Sequence, residues 1–246
     1  MKAHIGSIII PCYNEELRLN SEYFDFLSKK LNTLGIEIIF VNDGSTDGTL
    51  KMIQEFKFNC RIYNLEINHG KAEAIRMALQ EELLNSSTSI VGYLDADGAF
   101  LPSDIERFVE KFISDPKFKQ YQVLSAARVK LAGTTIERKA VRHFIGRLIS
   151  TFINFGNETK IYDPQSGFKL FRASNILKSA LEKPFFTRWF VDLEILNFYT
   201  KQRNFIIEVP VSSWIDISGS KIKLIQFPKI LLDLIRIKYK YKKRIL

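Results

Sequence analysis

The chain has 246 residues, of which 46% are hydrophobic, and carries a formal net charge of +9. This length allows one large α/β domain or two small ones with a sizeable core, and the composition excludes disordered, collagen-like and low-complexity proteins. No apolar run approaches the ~20 residues that a membrane span needs. The two cysteines lack metal-ligand spacing, which favours a reduced, cytosolic environment, and an early strand pattern leads us to expect no signal peptide.

The positive charge is concentrated at the C-terminus. From Lys221 to Leu246 there are nine Lys or Arg residues and one acid. The apolar residues of this segment fit one helical stripe, formed by Phe227, Ile230, Leu231, Leu234 and Ile235. A basic amphipathic segment lies on an anionic membrane surface or binds nucleic acid, and the high apolar content favours the membrane. We therefore divide the chain into a body, 1–220, and a membrane-surface tail, 221–246.

Strand and helix patterns alternate along the body. Strands are predicted at 5–10, 36–41, 61–65, 90–94, 123–127 and 206–209, and helices at 23–34, 49–56, 71–83 and 102–113. We also expect a basic amphipathic helix over 137–155, a turn and strand over 163–171, and a helix that starts near 188–194. The alternation predicts an α/β fold with a mostly parallel sheet and helices on both faces.

Two carboxylates, Asp95 and Asp97, follow the fourth predicted strand. An extended chain points both to the same side, and a cation would neutralise their repulsion. Hard oxygen ligands suit Mg²⁺ or Mn²⁺, and the open ends of parallel strands are where α/β sheets hold ligands. An Asp-x-Asp pair on its own is more often a solvated turn, so the metal hypothesis depends on the neighbouring motifs.

Polar motifs also follow other strands. They are Pro11-Cys12-Tyr13-Asn14-Glu15-Glu16, Asn42-Asp43-Gly44-Ser45-Thr46-Asp47 and Asn68-His69-Gly70-Lys71. Gly and Lys at a helix N-terminus suit a phosphate, whereas helix capping and a tight turn are alternatives for the first two motifs. Arg138 and Arg142 lie four residues apart, so a helix would place them on one face. That face is either an ordinary basic surface or a phosphate-binding one near anionic headgroups.

Taken together, these motifs resemble family 2 glycosyltransferases of the GT-A fold, in the order and spacing of that family over residues 1–130. In the second half, 163–171, Arg188-Trp189 with Asp192 and Glu194, and Trp214 followed by Gly219-Ser220-Lys221 resemble the dolichyl-phosphate β-glucosyltransferase branch. The resemblance implies a nucleotide-sugar half, 1–130, and an acceptor half, 131–220. Eukaryotic glucosyl enzymes carry an N-terminal membrane anchor, which we do not expect here. The related mannosyltransferases place a metal-contacting Gln where this chain has Ala99.

The resemblance also implies a role for each motif. The nucleotide-sugar would contact Pro11, Tyr13, Asn14, Glu15, Asp43, Lys71, Asp95 and Ala96. Asp97, with Asp95, would hold Mg²⁺ or Mn²⁺, which neutralises charge on the departing diphosphate. The acceptor phosphate would contact Arg128, Arg138, Arg142, Ser220 and Lys221. The candidate catalytic residues are Asp97, Asp163 and Asp192, of which the last two, with Glu194, would position the acceptor or the sugar.

The expected function is inverting transfer of a hexose, with glucose from UDP-glucose as the leading choice, to a polyprenyl phosphate. The enzyme would be cytoplasmic and peripherally associated with the inner face of the membrane. A family 2 transferase that adds a sugar to a sugar hydroxyl is the alternative, and it would need Asp163 or Asp192 as a true base. A nucleic-acid-binding module would leave the Asp-x-Asp without a role, so we expect no nucleic acid partner. The sequence leaves an oligomer open.

Overall fold

The computed structural model describes residues 3–137, 146, 147, 149–151, 154, 155, 157–200, 205–215, 217 and 232–237. The strands are β1 Gly6–Cys12, β2 Ile36–Asp43, β3 Arg61–Leu65, β4 Ile90–Leu94, β5 Val123–Ala127, β6 Thr135–Glu137, β7 Phe168–Arg172, β8 Ile206–Pro210 and β9 Ser213–Ile215. The helices are α1 Ser21–Thr33, α2 Thr49–Gln54, α3 Lys71–Glu82, α4 Pro102–Ser114, α5 Asn175–Leu181 and α6 Val191–Leu196, with a short 3-10 helix at Pro116–Phe118.

A seven-stranded sheet in the order β3-β2-β1-β4-β7-β5-β8 forms the centre of the fold. All its pairings are parallel except those of β7, which runs antiparallel to both β4 and β5. The predicted α/β fold with a mostly parallel sheet is therefore confirmed. The sheet draws strands from both predicted halves of the chain. The direction of β7 follows from its start: Gly167 lies at the C-terminal end of β4, where its carbonyl accepts a hydrogen bond from the Asp95 amide (2.9 Å).

Both faces of the sheet are covered, which explains why its central strands read as continuous apolar runs. In β1, Ile8 and Ile10 pack with α1 and α4 on one face, while Ile9 packs with α3 on the other. This is the two-residue alternation of an extended chain, and it places two apolar layers around one sheet. The layers hold the strand ends of β1, β2 and β4 at a common edge.

Several sequence-based predictions need correction. Glu137 lies in β6, which pairs with β9, so the helix expected over 137–155 does not begin there, whereas residues 146, 147, 149–151 and 154 are helical as expected. The side chain of Ile136 is buried beside Trp214, and this packing favours the strand over a helix. Asn20 caps α1 by accepting from the Tyr23 amide (3.0 Å), so the 11–16 motif does not cap that helix.

The structure describes part of the predicted tail, and the membrane-facing stripe stays a prediction. Residues 232–237 are helical, and Leu234 and Ile237 are buried against Phe190 and Leu193. Ile235 is instead 37% exposed, because the packed face runs through 234 and 237. The other stripe residues, Phe227, Ile230 and Leu231, lie outside the described residues. Within the residues that are described, no helix is both long enough and apolar enough to span a bilayer.

Candidate donor and acceptor site

The predicted motifs meet at one edge of the sheet. β1 pairs with β2 on one side and with β4 on the other. Tyr13 and Asp95 therefore follow, and Asp43 ends, three adjacent parallel strands. The carboxyl ends of such strands form the ligand-binding crevice of open α/β sheets. The structure therefore brings together the four motifs that the sequence singled out.

The first two motifs are fastened to each other. The Asn14 side-chain oxygen accepts from the Thr46 amide (2.8 Å), and the Asn14 amide donates to Ser45 Oγ (3.1 Å). Asn14 has a φ of +51°, a left-handed conformation that asparagine tolerates better than most residues. Beside it, Glu15 is buried and receives a hydrogen bond from Arg18 Nε (2.7 Å). Pro11, the first residue of this motif, is part of β1.

Asp43 organises the loop that precedes α3. Its carboxylate is 2% exposed and accepts from the amides of His69 (2.7 Å) and Gly70 (2.9 Å) and from the side-chain amide of Asn68 (3.0 Å). Burial raises the pKa of Asp43 above its ordinary value, although these hydrogen bonds oppose the shift. A carboxylate can accept about four hydrogen bonds, so the predicted contact with a nucleotide is compatible with this loop-holding role.

Lys71, the first residue of α3, forms an ion pair with Asp95. Burial lowers the pKa of Lys71, but the carboxylates of Asp95, Asp192 and Asp97 outweigh it, and the net shift is upward. The ammonium therefore stays charged at the C-terminal edge of the sheet, where its side chain is 28% exposed. The sequence predicted a phosphate partner for this lysine and did not reveal its carboxylate partner.

Asp97 lies beside this ion pair. Burial, and then the charge of Asp95, raises the pKa of Asp97, and its Oδ1 accepts from the Ala99 amide (3.1 Å). Ala96, between the two carboxylates, is buried. Two neighbouring carboxylates that repel each other fit a divalent cation, and Mg²⁺ commonly uses one or two carboxylates together with substrate phosphates and water. The described residues contain no cluster of three or more metal-ligating side chains, so the diphosphate would have to complete the coordination.

On the other side of β4, Arg128 and Asp163 form a bidentate pair. The guanidinium donates through Nε (2.7 Å) and Nη2 (2.8 Å) to the two carboxylate oxygens, and it lies 5.0 Å from the ring centroid of Trp214. Nη2 also donates to the Gln165 carbonyl (3.0 Å). Nη1 has no acceptor among the described residues, so two N–H groups of Arg128 remain for a ligand.

Asp192, near the start of α6, belongs to a buried network that the sequence analysis did not identify. Its Oδ1 accepts from Lys169 Nζ (2.5 Å) and from the Tyr93 hydroxyl. The available signal was a lysine inside an apolar strand, Phe168-Lys169-Leu170-Phe171, which predicts a buried charge with a partner. Glu194 is fully buried and accepts from the backbone amides of residues 186 and 187 (both 2.8 Å), so it holds that loop. Arg138, Arg142, Ser220 and Lys221 lie outside the described residues.

A mostly parallel sheet whose fourth strand ends in Asp-x-Asp, with a Gly-Lys helix start beside it, defines the class of GT-A glycosyltransferases. Residues 7–178 match the family model for glycosyl transferase family 2. The chain belongs to glycosyl transferase family 2, and the resemblance noted in its sequence is confirmed.

Two kinds of known protein are similar to this chain. A dolichyl-phosphate beta-glucosyltransferase of Saccharomyces cerevisiae is 33% identical over 96% of this chain and 74% of its own length. One from Dictyostelium discoideum is 30% identical over 96% of this chain and 74% of its own length. A crystal structure of glucosyl-3-phosphoglycerate synthase from Mycobacterium tuberculosis with Mn²⁺, UDP-glucose and phosphoglyceric acid has a TM-score of 0.70 at 18% identity, covering 97% of this chain and 79% of that one. At that identity the likeness concerns the fold.

Proposed function

We propose that the protein transfers glucose from UDP-glucose to a polyprenyl phosphate, with inversion at the anomeric carbon. The observation that carries this proposal is the pair of Asp95 and Asp97 at the edge of the sheet, beside Lys71 and the loop anchored by Asp43. Family membership and relatives that are dolichyl-phosphate beta-glucosyltransferases over nearly the whole chain support the choice of sugar and acceptor.

On the donor side, Asp97 and Asp95 would hold Mg²⁺ or Mn²⁺, which when bound neutralises charge on the departing diphosphate. The chain's own cation at this edge is Lys71. Its ammonium stays charged because the neighbouring carboxylates raise its pKa. Solved structures of the mycobacterial synthase with Mn²⁺ or Mg²⁺ and UDP support such a donor site in this fold. The residues of the 11–16 motif and Asp43 would line the nucleoside.

On the acceptor side, Arg128 would present its Nη1 hydrogens to the acceptor phosphate while Asp163 keeps the guanidinium in place. A phosphate monoester with a second pKa of about 6 is largely ionised at neutral pH. It can attack the anomeric carbon directly, so no strong general base is required. Asp163 therefore acts through its ion pair with Arg128, and direct displacement inverts the anomeric centre.

The proposal is tested by incubating the protein with Mn²⁺ and radiolabelled nucleotide sugars in the presence of short polyprenyl phosphates. We expect lipid-extractable label from UDP-glucose, and loss of that label with Asp97→Asn. Glu110→Gln, a change of one carboxylate on the exposed surface of α4, is the matched control and should keep the activity. Label that appears only on sugars with free hydroxyl groups would contradict the polyprenyl phosphate acceptor.

We further propose that the tail meets an anionic membrane surface on the cytoplasmic side. Nine basic residues and one acid over 221–246 support this, together with the exposure of Leu232 and Ile235 beside the packed Leu234 and Ile237. Basic residues near an apolar face add attraction of about 1 kcal/mol each to anionic lipids.

Liposome sedimentation tests the tail. Because Leu234 and Ile237 pack on the body, the test variant neutralises only residues beyond them, by Gln at Lys238, Lys240, Lys242, Lys243 and Arg244. The control carries the same number of Lys→Gln changes at exposed body positions, Lys29, Lys51, Lys57, Lys117 and Lys119. The tail variant should lose binding to anionic vesicles and the control should keep it; equal binding by both would contradict the assignment.

A further inference from the structure

Lys169 is a fully buried lysine in the middle of the sheet, in β7. An ammonium group taken out of water is costly unless it is paired and hydrogen-bonded. Lysine is almost never buried to this extent without a partner. The residue therefore has to be explained by what it contacts.

Lys169 contacts residues that adjoin the candidate site. Its Nζ donates to Asp192 Oδ1 (2.5 Å) and to the Ser166 carbonyl (2.7 Å), and it lies 5.7 Å from the ring centroid of Tyr93. The Tyr93 hydroxyl donates to the same Asp192 oxygen. Tyr93 lies two residues before Asp95, and Ser166 lies in the turn that contains Asp163. Lys169 thus links β4, the turn that contains Asp163 and Ser166, and the start of α6.

These hydrogen bonds fix one carboxylate oxygen of Asp192, and the other oxygen receives no hydrogen bond from the described residues. Oδ1 has two donors, whereas Oδ2 has none among the described residues. The charge of Asp192 contributes to the raised pKa values of both Lys71 and Arg128, so the carboxylate lies near both cations. A carboxylate held in this position would repel an acceptor phosphate, but it would accept a hydrogen bond from a neutral hydroxyl.

We propose that Lys169 is a positioning residue that fixes Asp192 so that its free oxygen accepts a hydrogen bond from a hydroxyl of the transferred sugar. This inference rests on the proposed function, because it assumes a nucleotide-sugar in the donor site. Lys169 does not touch the substrate. It acts through Asp192, and through the Ser166 carbonyl it also holds the turn that pairs with Arg128.

Measurements of nucleotide binding separate the positioning role of Lys169 from catalytic turnover. The affinities for UDP and for UDP-glucose are measured by calorimetry with Mn²⁺, in the wild type, Lys169→Met, Asp192→Asn, the double variant and the exposed-lysine control Lys178→Met. The wild type and the control should bind UDP-glucose more tightly than UDP. A hydrogen bond to a charged group corresponds to a gain of about tenfold or more. Lys169→Met and Asp192→Asn should each lose that gain while the affinity for UDP changes by less than about threefold.

The double variant keeps the inference testable if Lys169→Met does not fold, because it leaves no buried carboxylate without its cation. It should melt at a higher temperature than Lys169→Met and should bind UDP-glucose no less tightly than Asp192→Asn alone. Additive losses in the double variant, or an undiminished gain in Lys169→Met, would overturn the positioning role. A wild-type protein that binds UDP-glucose no more tightly than UDP would also overturn it, whereas a wild-type protein that binds neither nucleotide would contradict the proposed function itself.

Discussion

Gly167→Ala should separate the activity of this protein from its stability. Gly167 lies against Asp95, and an ideal Cβ at this position would be 2.6 Å from Cγ of Asp95 and closer still to Oδ2. Ordinary contact begins at 3.4 Å, so the carboxylate has to move by about 1 Å. The Asp95 side chain is flexible and 30% exposed, so the free energy of unfolding should fall by only about 1 kcal/mol.

The catalytic cost should be much larger, because a displacement of about 1 Å at a reacting site can reduce the rate about 100-fold. We expect kcat/KM for UDP-glucose to fall by about that factor and the melting temperature by about 2–4 °C. Gly146→Ala is the matched control, since an ideal Cβ there meets nothing within 4 Å. A Gly167→Ala enzyme with kcat/KM within about threefold of the wild type would refute the placement of Asp95 in the donor site.

Three further predictions concern the two ends of α3, at Glu82 and at Gly70 and Lys71. Burial raises the pKa of Glu82, but hydrogen bonds from Arg61 and two neighbouring hydroxyls outweigh it and lower that pKa overall. The stability from this network is therefore present above the ordinary glutamate pKa of about 4.3 and is lost as the pH falls through the lowered value. Glu82→Gln should flatten the acid limb of a plot of unfolding free energy against pH; an unchanged limb would contradict the network. Gly70→Ala combines a φ of +97° with a Cβ 2.8 Å from that of Arg188, so urea unfolding should show a loss of about 1–3 kcal/mol. Lys71→Met removes the cation beside the first carboxylate of the Asp-x-Asp pair, and the KM for the donor in Mn²⁺ titrations should rise about tenfold or more; an unchanged KM would contradict its donor role.

The sequence predicted the strands that carry the site with good accuracy. Ile90–Leu94 and Val123–Ala127 have the same bounds in the structure as in the prediction. Both are short and mostly apolar, and a length of five residues favours a strand over a helix. The direction of β7 could not be predicted in this way, because a two-residue period is the same in parallel and antiparallel strands. Helix α5 has only seven residues, too few for a clear helical period, and it was not predicted.

The sequence also indicated which motifs would meet, but not how they pair. Each of the four motifs follows a predicted strand. Because parallel strands end at the same edge of a sheet, the motifs are expected to meet at its C-terminal edge. The amides that bond to Asp43, however, depend on how the 68–70 loop turns, and Gly70 turns it with a positive φ. The contact of Lys169 with Tyr93 depends on the register between β4 and β7, which places Tyr93 opposite Lys169. Neither feature has a period or a spacing that can be recognised along the chain.

The charges of the site explain why its carboxylates differ. Asp95, Asp163 and Asp192 each have a cation of the chain's own, respectively Lys71, Arg128 and Lys169. Asp97 forms no ion pair with any described residue, and burial with the repulsion of Asp95 raises its pKa. The charge that Asp97 needs would therefore be supplied from outside the chain, as a divalent cation supplies it. The three internal cations pair with the other carboxylates, and in our proposal Asp97 is the one whose neutralisation would depend on a bound divalent cation.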